Sequence, residues 1–254
     1  MSSRDSAAAG VSPEQSPALE PSVHSADSEG LKAAVSDPAL TEDLALALLK
    51  RADLPPELLE LLSKKSVIKS RKVKRALVGH ARTPRYVSIG LIRQMFTFEL
   101  MQVALTPVVP ADVKIAAEQA LLNRLETIPS GAKLSLARRA SGRVAAALLL
   151  DVEGGVCHAA LDNPRLTEVH VTKALLAPAA GAAFVHAVCA NSKWSLRRDI
   201  RVALLRNGNT PVSRVLEYAR GFSPGLLREI LASSRLPAAV KEQVLKGIAE
   251  RPGD

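Results

Sequence analysis

The stretch ALLRNGNTP at 203–211 has near copies at two other places in the chain, ALVGHARTP at 76–84 and ALLKRADLP at 47–55. Aligned on the Ala-Leu pair, five copies begin at Ala47, Ala76, Ala120, Ala160 and Ala203, at intervals of 29, 44, 40 and 43 residues. Val244-Leu245 reads as a worn last copy. Seven residues after each Ala stands Leu54, Thr83, Thr127, Thr167 or Thr210, and the next residue is Pro55, Pro84 or Pro211 in three copies. Three residues before each Ala stands Leu44, Val73, Ala117, Cys157 or Ile200.

Each part of the phrase has a physical meaning. Positions three apart and adjacent to the pair share one face of a helix, so that face turns inward, and Ala lets a neighbouring helix come close. The polar or Gly residues that follow end the helix. The spacing then predicts Thr as the N-cap of the next helix, its hydroxyl accepting a backbone N–H. Pro suits the first helical position, where no N–H is needed. A period of about 42 residues holds roughly three short helices, the signature of a helical repeat array.

Composition agrees with helix. Of 254 residues, 47% are apolar but only 3% are aromatic, so Ala, Leu and Val must build the core. No stretch of useful length alternates with period two, and the expected fold is all-α. The longest apolar run, VAAALLL at 144–150, is far too short to cross a membrane. With no secretory pattern and only Cys157 and Cys189, a reduced, cytoplasmic protein is expected.

Val73-Lys74-x-Ala76-Leu77 and Ile200-Arg201-x-Ala203-Leu204 resemble the VRxAL helix of HEAT-type repeats. NGNTPVSRVLEYA, from 207, is similar to a phrase of leucine-rich-repeat-variant proteins, which are also α-solenoids. The resemblance covers 44–251. It implies a right-handed α-solenoid of about five HEAT- or armadillo-like repeats with the period of about 42. The copies at Ala120 and Ala160 depart from it in lacking the Pro, and the first interval is short.

Charge is distributed unevenly. The formal net charge is +9; residues 1–43 hold eight acids and two bases, which leaves +15 for 44–254. Residues 1–36, rich in Ser, Ala, Pro and Gly, are expected to be a disordered acidic tail. Residues 37–254 are expected to form the solenoid domain, and the tail could screen its basic surface in cis. The run KKSVIKSRKVKR at 64–75 contains no acid.

The residues expected to bind a partner are Lys69, Arg71, Lys72, Lys74, Arg197, Arg198 and Arg201. The expected role is a non-catalytic scaffold with an extended repeat surface. Its first partner is an acidic protein segment, and nucleic acid, held by its phosphates, is the alternative. No membrane, small-molecule substrate or cofactor is called for. Nucleophilic triads, phosphate loops and HExxH are missing from the sequence, so no catalytic residue is assigned. The resemblance adds a third class, a HEAT-like DNA glycosylase. Trp194 beside Lys193, Arg197 and Arg198 is the nearest match to it, although core packing accounts for that Trp equally well. Cys157, His158, His186 and Cys189 could be drawn as a zinc set. Against this, Cys157 occupies an inward repeat position while His158 occupies one that is mostly outward, and no metal is assigned.

Overall fold

The computed structural model describes residues 28–249, and among them there are sixteen α-helices and no strand. The fold is all-α. It divides into two compact units at residues 91 and 92. The first contains α1 (Ser28–Ser36), α2 (Glu42–Leu49), α3 (Pro56–Lys64), α4 (Arg71–Gly79) and all but the last residue of α5 (Arg85–Ile92). The second contains α6 (Thr97–Leu105), α7 (Ala111–Leu122), α8 (Ser130–Arg139), α9 (Gly142–Ala147), α10 (Gly154–Leu161) and α11 (Glu168–Leu176). It continues through α12 (Ala182–Ala190), α13 (Arg198–Arg206), α14 (Val212–Ala219), α15 (Pro224–Ala232) and α16 (Ala238–Ala249).

The helices are short because their starts and stops are closely spaced. Thr41 accepts the Leu44 N–H at the start of α2, and Ser70 accepts the Val73 N–H at the start of α4. Prolines open α3 and α15. In α4 the apolar Val73, Leu77 and Val78 are buried, while of the bases between them Arg75 is exposed and Lys74 half-buried. The Leu of every Ala-Leu pair is buried: Leu48, Leu77, Leu121, Leu161 and Leu204. The Ala itself is buried only at Ala160 and Ala203, and half-buried in the other three copies.

Helices pack against the helix two places on. In the first unit α1 meets α3 and α2 meets α4. In the second, α7, α9, α11, α13 and α15 follow one another in this way, as do α8, α10 and α12, and α14 with α16. Side chains in the turns bond backwards by the same step. His80 Nε2 lies 2.8 Å from the Arg51 carbonyl, and Arg82 donates to the Asp53 carbonyl at 2.8 Å. Arg124 donates to the Met95 carbonyl at 2.6 Å, and Asn209 to the Ala180 carbonyl at 2.9 Å. Each of these pairs is 29 residues apart.

The expected period of about 42 residues does not emerge from these contacts: the stacked pairs are two helices apart, while α6 also packs closely on α7, the next helix. The Ala-Leu copies of the second unit fall on α7, α10 and α13, which alternate between the two successions. The phrase marks a helix end, and every helix in either succession has to bury its last turn.

The role of Thr is corrected. Thr83 and Thr210 do not accept from the helix that follows. Each hydroxyl donates, at 2.6 Å, to the carbonyl of the motif Leu behind it, Leu77 and Leu204. Thr167 alone of the four sits at the N-cap of the next helix, α11, 3.0 Å from His170 Nδ1. Structure also begins earlier than expected: residues 28–36 are helical, and Leu31, Ala34 and Val35 are buried. The rest of the expected tail, 1–27, lies outside the described residues.

Candidate functional site

Four of the seven expected partner-binding residues lie in the first unit, around the start of α4. Lys69, Arg71 and Lys72 are exposed and Lys74 is half-buried. Lys72 pairs with Glu42 of α2 at 3.2 Å. The Ser70 hydroxyl and Lys72 hold the Glu42 carboxyl below its ordinary pKa. The first turn of α4 carries Arg71 and Lys72 and no acid. A helix N-terminus already presents partial positive charge, so cations there are locally unfavourable.

The other three lie in the second unit, and their surroundings differ. Arg197 pairs with Glu168 at 2.9 Å and lies 5.3 Å from the Trp194 ring. Arg201 donates to the Ser195 carbonyl at 2.8 Å and lies 5.3 Å from the Tyr218 ring, tying the turn before α13 to α14. Arg198 is exposed on the first turn of α13. Arg197 and Arg201 therefore hold local structure as well as charge.

Trp194 is 1% exposed, donates from Nε1 to the Leu161 carbonyl at 2.8 Å, and has Lys193 4.3 Å from its ring. It is a core residue, and its ring is not available to stack on a base. The Cys/His set is divided between inside and outside. Cys157 and Cys189 are buried with free thiols, while His158 and His186 are exposed. Burial, with a contribution from Asp151, pushes the Cys157 thiol up to about 11. Burial also raises Cys189. Both are small core residues rather than nucleophiles. No group of three or more metal-ligating side chains is assembled among the described residues.

Reading the sequence missed a groove of about 710 Å³ in the second unit, walled by α11 and α13. Its apolar lining includes Val169, Leu176 and Val202. Val169 is 74% exposed and Leu176 41%. The signal was present in EVHVTKALL: Val171, Ala174 and Leu175 already fill the inward face, so Val169 and Leu176, seven apart, form a second apolar strip.

No protein family, curated protein or solved structure compared with this chain matches it. No helix among the described residues is long and apolar enough to cross a membrane.

Proposed function

We propose that this chain is a non-catalytic binding scaffold whose two units are stretches of HEAT-like α-solenoid, and that the α4 face takes an acidic segment of another protein. The packing of α1 on α3 and α2 on α4 in the first unit, and of α7, α9, α11, α13 and α15 in succession in the second, supports the solenoid reading. One observation carries the binding reading. Lys69, Arg71 and Lys72 stand exposed at a helix N-terminus, an arrangement that costs stability unless an anion is nearby. Lys72 already pairs with Glu42 of α2, and Lys69 stands exposed just before the helix. A carboxylate-rich segment gains from the cations and the helix end together. Nucleic acid is the second reading, because phosphates answer the same cations.

The test is fluorescence anisotropy of the whole chain with a glutamate-rich peptide, a DNA duplex and an RNA of similar length, at about 50 and 200 mM salt. The triple change Lys69→Glu, Arg71→Glu, Lys72→Glu is run beside it. Peptide binding lost in the triple variant supports the protein partner. Duplex or RNA binding that exceeds the peptide's, with a steep salt slope, moves the reading to nucleic acid. No binding to any of them at low salt removes the α4 face as a site.

A further inference from the structure

The groove between α11 and α13 is independent of the α4 face, and its chemistry is different. Arg197, just before α13, pairs with Glu168 at the start of α11, and Asn207, just after α13, donates to the Leu175 carbonyl near the end of α11 at 2.7 Å. The two helices therefore run parallel and in register. Their starts bring Glu168 and Asp199 to one end of the groove, while Lys173 and Arg206 lie toward the other. Between them the lining is apolar. Two enclosed polar atoms in this lining, Thr172 Oγ1 and Arg206 Nε, have no hydrogen-bond partner.

We propose that this groove docks a short amphipathic helix of another protein, antiparallel to α11 and α13, with an acid in its first turn and a base in its last. The walls fix the class of occupant. They are helices whose backbone groups bond internally, so an extended peptide finds no free edge to pair with, whereas a helix brings its backbone already satisfied. Each wall is nine residues, about 13 Å, which matches two to three turns of a partner. Val169 and Leu176 are spaced to meet a face with anchors at i, i+3, i+4 and i+7. The polarity of the groove fixes the direction. A carboxylate in the partner's first turn meets the charges of Lys173 and Arg206, and a base in its last turn meets Asp199 and, beside its Arg197 pair, Glu168. The antiparallel arrangement also opposes the helix dipoles. The acidic end makes the groove a poor site for nucleic acid.

The probe is a blocked peptide of about twelve residues with leucines at i, i+3, i+4 and i+7, glutamates in its first turn and lysines in its last. A second peptide exchanges the glutamates and lysines. Each is titrated into the whole chain, following the methyl resonances of Val169, Leu176 and Val202. The first peptide is expected to bind at least about tenfold tighter than the second and to shift those methyls. Val169→Lys, at a position exposed enough to leave folding alone, is expected to weaken it by at least about tenfold. The α4 charge-reversal variant is expected to bind it normally, so failure here and failure of the α4 reading are told apart. Equal affinity for the two peptides, or methyls that do not shift, overturns the proposal. So does self-association of the whole chain that Val169→Lys abolishes, because the occupant is then a second copy.

Discussion

Asn163 is completely buried in the turn after α10, and its side chain makes three hydrogen bonds. Nδ2 donates to the carbonyls of Ala137 and Ala140, at 2.7 and 3.2 Å, where α8 ends. Oδ1 accepts from the Arg165 N–H at 2.7 Å. One amide therefore ties a turn to the turn two helices back. Asn163→Ala removes all three bonds without supplying a replacement. At about 1 kcal/mol each, with some cavity cost, the second unit should lose about 3–4 kcal/mol. For a unit of this size that is a fall in Tm of about 10 °C. Asn163→Asp separates bonding from shape. It keeps the acceptor for Arg165 but turns a carboxylate toward two carbonyl oxygens. Its pKa in the folded state must rise above the unfolded value of about 3.9. The deficit relative to wild type is then smallest below about pH 4 and grows as pH rises through the folded pKa. Urea denaturation at pH 4 and pH 7, read on the second unit's transition, measures both effects. Asn163→Ala within about 0.5 kcal/mol of wild type, or an Asp deficit that does not change with pH, would refute the reasoning.

Three further outcomes follow from the same structure. Thr210→Val should cost about 1 kcal/mol and Thr210→Ser less, because the hydroxyl is one of two donors to the Leu204 carbonyl, the other being the Asn207 N–H; equal costs in denaturation would mean the methyl matters and the hydroxyl does not. Lys133→Met breaks a largely buried pair with Asp151 at 2.9 Å and should cost about 3 kcal/mol at pH 7. Although burial opposes it, the Glu153 N–H and Lys133 hold Asp151 below its ordinary pKa, so the pair's stabilisation is present above about pH 4 and lost as pH falls through the folded value; the cost of Lys133→Met should shrink accordingly in acid melts. Cys157, raised from 9 to about 11, favours the folded state while its thiol stays neutral, so stability should decline between those values as the unfolded thiol ionises. Iodoacetamide should label it at pH 8 only after denaturant is added.

Helix content was legible in the sequence because it depends on local signals. Thr41, Ser70 and the prolines at 56 and 224 act within one turn of where they stand. The stacking step was not legible, because the residues that set it are polar and act at a distance of about 29 residues. Asn209 reaches Ala180, and Arg82 reaches Asp53, and neither pair shares a local pattern. The Ala-Leu phrase obscured the step by marking helix ends in both successions. Thr83 and Thr210 were misread for a related reason. A Thr between two helices can serve either one, and only the fold shows that its hydroxyl turns back to Leu77 or Leu204.

Counting charge along the sequence had the same weakness at the surface. The −6 of residues 1–43 was read as a single screening tail, but half of it belongs to the structured part. Glu29, Asp37, Glu42 and Asp43, against Lys32, contribute −3, and Asp5, Glu14, Glu20 and Asp27, against Arg4, contribute the other −3. Glu42 already meets Lys72 from α2. Some of the screening once assigned to a tail is therefore built into the first unit, and it acts within an ion-pair distance where salt has least effect. What residues 1–27 can add is bounded by a charge of −3. The basic surface divides in the same way: Arg197 and Arg201 are occupied locally by Glu168, the Ser195 carbonyl and Tyr218. Reversing the charge of Arg201 should therefore act first on stability. Reversing Lys69, which is exposed just before α4, should act on the binding of anions.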